Sequence, residues 1–99
     1  MIINKKQDGS ALVVALEGRL DTTTAPELEQ ELKNSLDGVT DLTLDLAKLD
    51  YISSAGLRVL LPAHKVMQKK GGMTVSHVNE VVEEVFEVTG FADILNIEA

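Results

Sequence analysis

Two adjacent hydroxyls, Ser53 and Ser54, stand just before Ala55-Gly56-Leu57 and a leucine-rich helical pattern. A helix N-terminus has unpaired N–H groups and a partial positive charge, so it accommodates an anion. One serine would suffice as an N-cap, worth about 1 kcal/mol. The other would then be available as a phosphoryl acceptor. A phosphate there adds about −1.5 to −2 charges, in a neighbourhood that already holds Asp21 and Asp50. The amides would stabilise it locally, while the outward surface would change sharply. Spacing alone leaves a plain cap and a switch both open.

Other chemistries fit less well. Ser54 lacks the G-x-S-x-G frame of a nucleophile elbow, and no His/Asp pair is placed within its reach. Asp21, Asp45 and Asp50 suggest a Mg²⁺-dependent phospho-acceptor site, but the chain is short for a five-strand doubly wound fold and begins with a hairpin. No glycine loop is available to cradle a nucleotide's phosphates. His64 and His77 have no metal-ligand spacing to each other or to nearby acids, so both read as structural. Without cysteine there is no disulfide framework, thiolate metal site or thiol nucleophile. These features predict a chain that is not an enzyme and needs neither cofactor nor metal.

The elements that must position Ser54 are legible from patterning. Ile2-Ile3 and "ALVVALEG" flank Asp8-Gly9 and read as a hairpin. Leu12 to Leu16 are apolar without alternation, which predicts a strand covered on both faces. Thr24 and Glu27 have capping-box spacing, with Pro26 in the first turn. Leu28, Leu32 and Leu36 then mark one helical stripe, closed by Asp37-Gly38. "DLTLDL" at 41–46 alternates as a strand does. Leu57, Leu60, Leu61, His64 and Met67 or Gln68 follow the face of a second helix, ended by Gly71-Gly72. Pro62 falls within it and is expected to kink rather than break it, at a cost of about 3 kcal/mol. "MTVS" is a short strand. Val78, Val81, Val82, Val85 and Phe86 form a third helical stripe, stopped near Gly90, and "FADILNIE" leaves room for one helical turn and a last strand. The acidic stripe Glu80, Glu83, Glu84 and Glu87 lies opposite and reads as a solvated face.

The order β-β-α-β-α-β-α-β defines a single α/β domain over 1–99. It predicts a mostly parallel sheet of four to five strands with an antiparallel N-terminal hairpin and helices packed on it. The 9 basic residues against 16 acidic ones give a net charge of −7, which argues against direct nucleic-acid binding. No signal-peptide core or bilayer-length apolar run occurs, so a cytoplasmic chain without membrane insertion is expected.

Three stretches carry a family likeness: "EGRLDTTTAPEL" at 17–28, "TLDLAKLDYISSAGLRVL" at 43–60 and "GFADILNI" at 90–97. Together they cover nearly the whole chain, which resembles a stand-alone STAS domain of the anti-sigma factor antagonist family. The resemblance implies a protein that binds an anti-sigma factor, usually a serine kinase of the histidine-kinase-like ATPase type, and so frees a sigma factor. It also implies that the kinase phosphorylates a serine at the start of the second helix, abolishing binding, and that a serine phosphatase reverses this. With Gly56-Leu57 fixing the register, Ser54 takes the phosphorylated position. Ser53 stands where the family has an acid, and Ala55 replaces a second hydroxyl. Ser53 would then be the cap that leaves Ser54 free. By the same resemblance, Asp21 lies in the turn where the family keeps an acid, to orient Ser54 or meet the partner; a plain helix-entry role explains it equally. Thr22, Thr23 and Thr24 would line the same edge, and Arg58 would face an acidic partner or simply solvent. The implied partner surface is Asp21, Thr22, Thr23, Thr24, Ser53, Ser54, Ala55, Gly56, Leu57 and Arg58. The alternative is a STAS docking subunit of another complex, such as a lipid-transport ATPase or a sensory assembly.

Overall fold

The computed structural model describes residues 1–98. Strands β1 (Ile2–Asp8) and β2 (Ala11–Leu20) form the expected hairpin, turning at Gly9 with φ +62°. Helix α1 (Ala25–Ser35), strand β3 (Asp41–Ile52), helix α2 (Ser54–Gln68), strand β4 (Gly72–Ser76) and helix α3 (Glu80–Thr89) follow. A 3₁₀ turn (Phe91–Asp93) and strand β5 (Asn96–Glu98) end the described chain. The five strands lie side by side in sequence order, with only the β1–β2 pairing antiparallel.

Register aligns the core. Leu12 pairs with Leu42 and Leu42 with Met73, while Val14 pairs with Leu44 and Leu44 with Val75. All six are buried together with Leu28 and Leu32 of α1, Leu57, Leu60 and Met67 of α2, and Val82 and Phe86 of α3. Helix α2 runs through Pro62 without a break, its apolar face continuing to Met67. It ends at Gln68, with Lys69 as C-cap, and Gly71 lies in the turn that leads into β4 at Gly72.

Two strand expectations need correction. Strand β2 is covered on one face only: Leu12, Val14 and Leu16 are buried, whereas Ala11 and Val13 are exposed. Its outward apolar residues are small or β-branched and suit a pleated surface even without cover. Strand β3 runs six residues beyond Leu46. Its pairing with β2 slips twice, as Ala15/Asp45 is followed by Glu17/Lys48, and Gly18/Leu49 by Arg19/Tyr51. Each slip gives β3 an extra residue, a bulge that resets which side chains point inward. Leu46, Leu49 and Ile52, spaced by three, are therefore all buried. The third helix is also narrower than its valine stripe suggested: Val82 and Phe86 are buried, while Val81 is exposed.

Candidate functional site

The bulged extension of β3 brings Ile52 level with Leu20 at the end of β2. Ser53 N–H then donates to the Leu20 carbonyl at 2.9 Å, so the ladder continues into the start of α2. The first turn of that helix presses on the two strand ends. A Cβ on Gly56 would sit 2.7 Å from Leu20 Cγ and 2.8 Å from Ile52 Cγ1, closer than packed carbons approach. Glycine is required there by contact rather than by backbone angle. With Gly56 and Leu57 facing inward, Ser54 is left exposed at the first position of the helix and Arg58 exposed one turn on.

Ser53 occupies the N-cap position in extended conformation, but its hydroxyl accepts no hydrogen bond from the helix. Its Oγ is instead buried without a partner among the described residues. The expected division of labour, with Ser53 capping and Ser54 free, is therefore corrected. Ser54 is exposed, but no hydroxyl caps the helix, and its leading amides are left without a side-chain acceptor.

Across the edge, Asp21 and the three threonines build the entry to α1. Asp21 Oδ1 accepts from Thr23 N–H at 3.0 Å, from the Thr23 hydroxyl at 2.8 Å and from Thr24 N–H at 3.3 Å. The Thr23 hydroxyl, joined by these amides, outweighs partial desolvation and holds the Asp21 carboxyl below the usual carboxylate range. The capping box expected of Thr24 and Glu27 does not form. Thr24 Oγ1 instead accepts from Asp21 N–H at 2.8 Å and donates to the Arg19 carbonyl at 2.8 Å. Sequence spacing missed this because the Asp21 N–H and the Arg19 carbonyl, both at the end of β2, occupy the Thr24 hydroxyl and draw it back from the helix. Asp21 is thus committed to its own turn. Beside it, Arg19 lies 3.7 Å from Asp21 Oδ2 and stacks over the Tyr51 ring at 4.6 Å.

The predicted residues separate into distinct positions. Thr22, Ala55 and Arg58 line one shallow cleft of about 180 Å³ with Ala25, Pro26, Glu29 and Val59, between the first turns of α1 and α2. Thr23 is exposed beside it, whereas Thr24 is half-buried in its hydrogen bonds. Gly56 and Leu57 lie beneath the surface, so their part is to seat the turn rather than to touch a partner.

One pairing had no sequence signal. His77, the only non-glycine among the described residues with positive φ (+57°), places Nδ1 3.0 Å from Asp45 Oδ1. Thirty-two residues separate the two, and only the β3–β4 pairing brings them together. His64 is buried, as its apolar face suggested. Among the described residues no three His, Cys, Asp or Glu side chains converge as metal ligands, and no helix is long and apolar enough to cross a membrane.

An open α/β sheet with an N-terminal hairpin, bearing a serine at the first turn of its second helix, defines the class. Residues 2–99 match the STAS domain, and the chain belongs to the STAS domain family. It is 43% identical over 94 residues to a protein of Bordetella bronchiseptica named as a candidate anti-sigma factor antagonist, BtrV, covering 93% of this chain and 80% of that protein. It is 30% identical to the anti-sigma-B factor antagonist of Bacillus subtilis, covering 98% of this chain and 90% of that one. Among solved structures, an anti-sigma factor antagonist from Mycobacterium paratuberculosis superposes with a TM-score of 0.87 at 24% identity, covering 97% of this chain and 83% of that one. Unphosphorylated SpoIIAA superposes with a TM-score of 0.84 at 16% identity, covering 99% of this chain and 89% of that one. Phosphorylated SpoIIAA of Bacillus gives 0.75 at 15%, with 99% and 92% covered.

Proposed function

We propose that this chain is a cytoplasmic anti-sigma factor antagonist, active when Ser54 carries a free hydroxyl and silenced when that hydroxyl is phosphorylated. The observation that carries the reading is the exposed Ser54 at the first position of α2, on a turn seated by Gly56. Relatives named as anti-sigma factor antagonists, at 43% and 30% identity over nearly the full chain, support it. The partner is an anti-sigma factor that is also a serine kinase, and a serine phosphatase resets the switch.

The cleft formed by Thr22, Ala55 and Arg58, beside Ser54, is the partner surface. Asp21, Thr23 and Thr24 hold the turn that presents Thr22, while Ser53 and Gly56 seat the helix start that presents Ala55 and Arg58. A phosphoryl group on Ser54 Oγ finds two local stabilisers: the uncapped amides of α2 and Arg58, four residues on and so on the same helical face. Partner binding then loses the cation and meets added charge and bulk.

The test is a titration with the purified anti-sigma factor kinase of the same organism. Ser54→Ala is expected to bind as wild type does and to take no label from ATP. Ser54→Asp is expected to bind at least tenfold more weakly, about 1.4 kcal/mol. Equal binding by both variants, with wild type never labelled, would defeat the switch.

A further inference from the structure

A second groove lies along the same side of the molecule and takes its lining from Leu32 and Leu36 of α1 and from Val59, Pro62, Ala63 and Val66 of α2. It encloses about 290 Å³, and Glu29 and Lys33 stand at its rim. It shares Glu29 and Val59 with the cleft beside Ser54, so the two form one continuous trough. Val66 is 49% exposed at its outer lip, an apolar side chain left uncovered.

Helix α2, one wall of this trough, carries cations and no carboxylate. Residues 51–79 carry four cations (Arg58, Lys65, Lys69 and Lys70) and no carboxylate, while the rest of the chain holds five cations against all 16 acids. Arg58 lines the cleft at the Ser54 end, and Lys70 Nζ donates to the carbonyl of groove-lining Leu36 at the other. Glu29 is paired with Lys33 at 3.7 Å, which offsets the acid at the rim. A strongly acidic protein thus presents one apolar trough with cations at both ends. Apolar anchors flanked by acids are what such a trough recognises.

We infer that the α1–α2 groove docks an amphipathic segment of the anti-sigma factor, with an aliphatic or aromatic anchor between Val59 and Val66 and acidic residues against Arg58, Lys65 and Lys69. This rests on the antagonist reading and extends its contact surface by about three helical turns beyond Ser54. It also gives the switch a second lever. A phosphate that recruits Arg58 removes one of the cations that hold the docked segment, so the charge change acts along the groove as well as at the serine.

The test uses the full-length protein and the same purified anti-sigma factor, titrated against wild type, Val66→Glu, Val66→Leu and Lys65→Glu at two salt concentrations. Both altered positions are exposed or half-exposed, and matching melting curves establish that the variants fold. Val66→Glu is expected to weaken binding about tenfold or more, with Val66→Leu retaining it. Lys65→Glu is expected to weaken binding about threefold to tenfold at low salt and to flatten the salt dependence shown by wild type. If Ser54→Asp abolishes binding while Val66→Glu and Lys65→Glu both bind as wild type, the groove is empty in the complex and this inference is wrong, though the antagonist reading stands. If the unmodified protein does not bind the factor at all, the antagonist reading fails and takes the groove's occupant with it.

Discussion

Removing the Ser53 hydroxyl is expected to cost nothing. A capping serine replaced by alanine loses about 1 kcal/mol. Here, however, Oγ accepts no helical N–H and is buried without a partner among the described residues, a state that itself costs about 1–3 kcal/mol. Ser53→Ala should therefore leave the urea midpoint unchanged or raise it, and a loss near 1 kcal/mol would show that the hydroxyl caps α2 in solution. Asp21 is the opposite case. Its carboxylate accepts three hydrogen bonds from Thr23 and Thr24, and its pKa lies below the ordinary value. A depressed carboxylate adds stability that is complete above the ordinary pKa, about 4, and that fades as pH falls through the lower folded-state value. Asp21→Asn should thus be less stable than wild type at pH 7, with the gap closing as unfolding is followed into acid below pH about 4. A gap that held constant to low pH would mean that charge plays no part in that turn.

At the scale of elements, the stability of α2 and the position of Ser54 share one cause. Gly56→Ala would gain about 1 kcal/mol of helix propensity on an isolated helix. In this fold the new methyl meets Leu20 and Ile52, both fully buried and held at strand ends. Overpacking of that kind costs about 1–3 kcal/mol, so a net loss is expected in thermal unfolding. A gain in stability would show that α2 can lift off the sheet freely. Helix α3 depends on a different device. Asn79 Oδ1 accepts from Val82 N–H at 2.9 Å while its Nδ2 donates to the Leu49 carbonyl at 2.6 Å, tying the helix start to the bulged part of β3. Asn79→Ala should lose about 1–2 kcal/mol by urea unfolding, the worth of an N-cap and one further bond.

These elements also show what patterning could carry. The helices and the regular half of β3 follow from spacing alone, because Leu28/Leu32 and Leu42/Leu44 each obey a single period. The bulges in β3 were hidden, since period two fails wherever an extra residue resets the faces. Ser54 and Arg58 could be placed at the edge because a helix start fixes directions locally. The burial of Ser53 Oγ, the diversion of Thr24 toward Arg19 and the His77–Asp45 contact depend on neighbours distant in the chain, and no local rule reports them.

The whole molecule separates what must be rigid from what must change. The sheet and three helices share one continuous core, and the proposed switch sits on its rim, where Ser54 contributes no buried contact. Negative charge at the first position of a helix is favourable by about 0.3–1 kcal/mol when exposed. Ser54→Asp should therefore melt within a few degrees of wild type, or slightly above it, even though it is expected to lose its partner. Backbone amide shifts between the two forms should concentrate in the first turn of α2 and around Arg58, leaving Leu44, Val75 and Phe86 unmoved. Shifts spreading through those core positions would mean that charge at Ser54 works by loosening the fold. The partner would then be reading a change of packing, and the cleft and groove would lose their standing as the surface on which binding is decided.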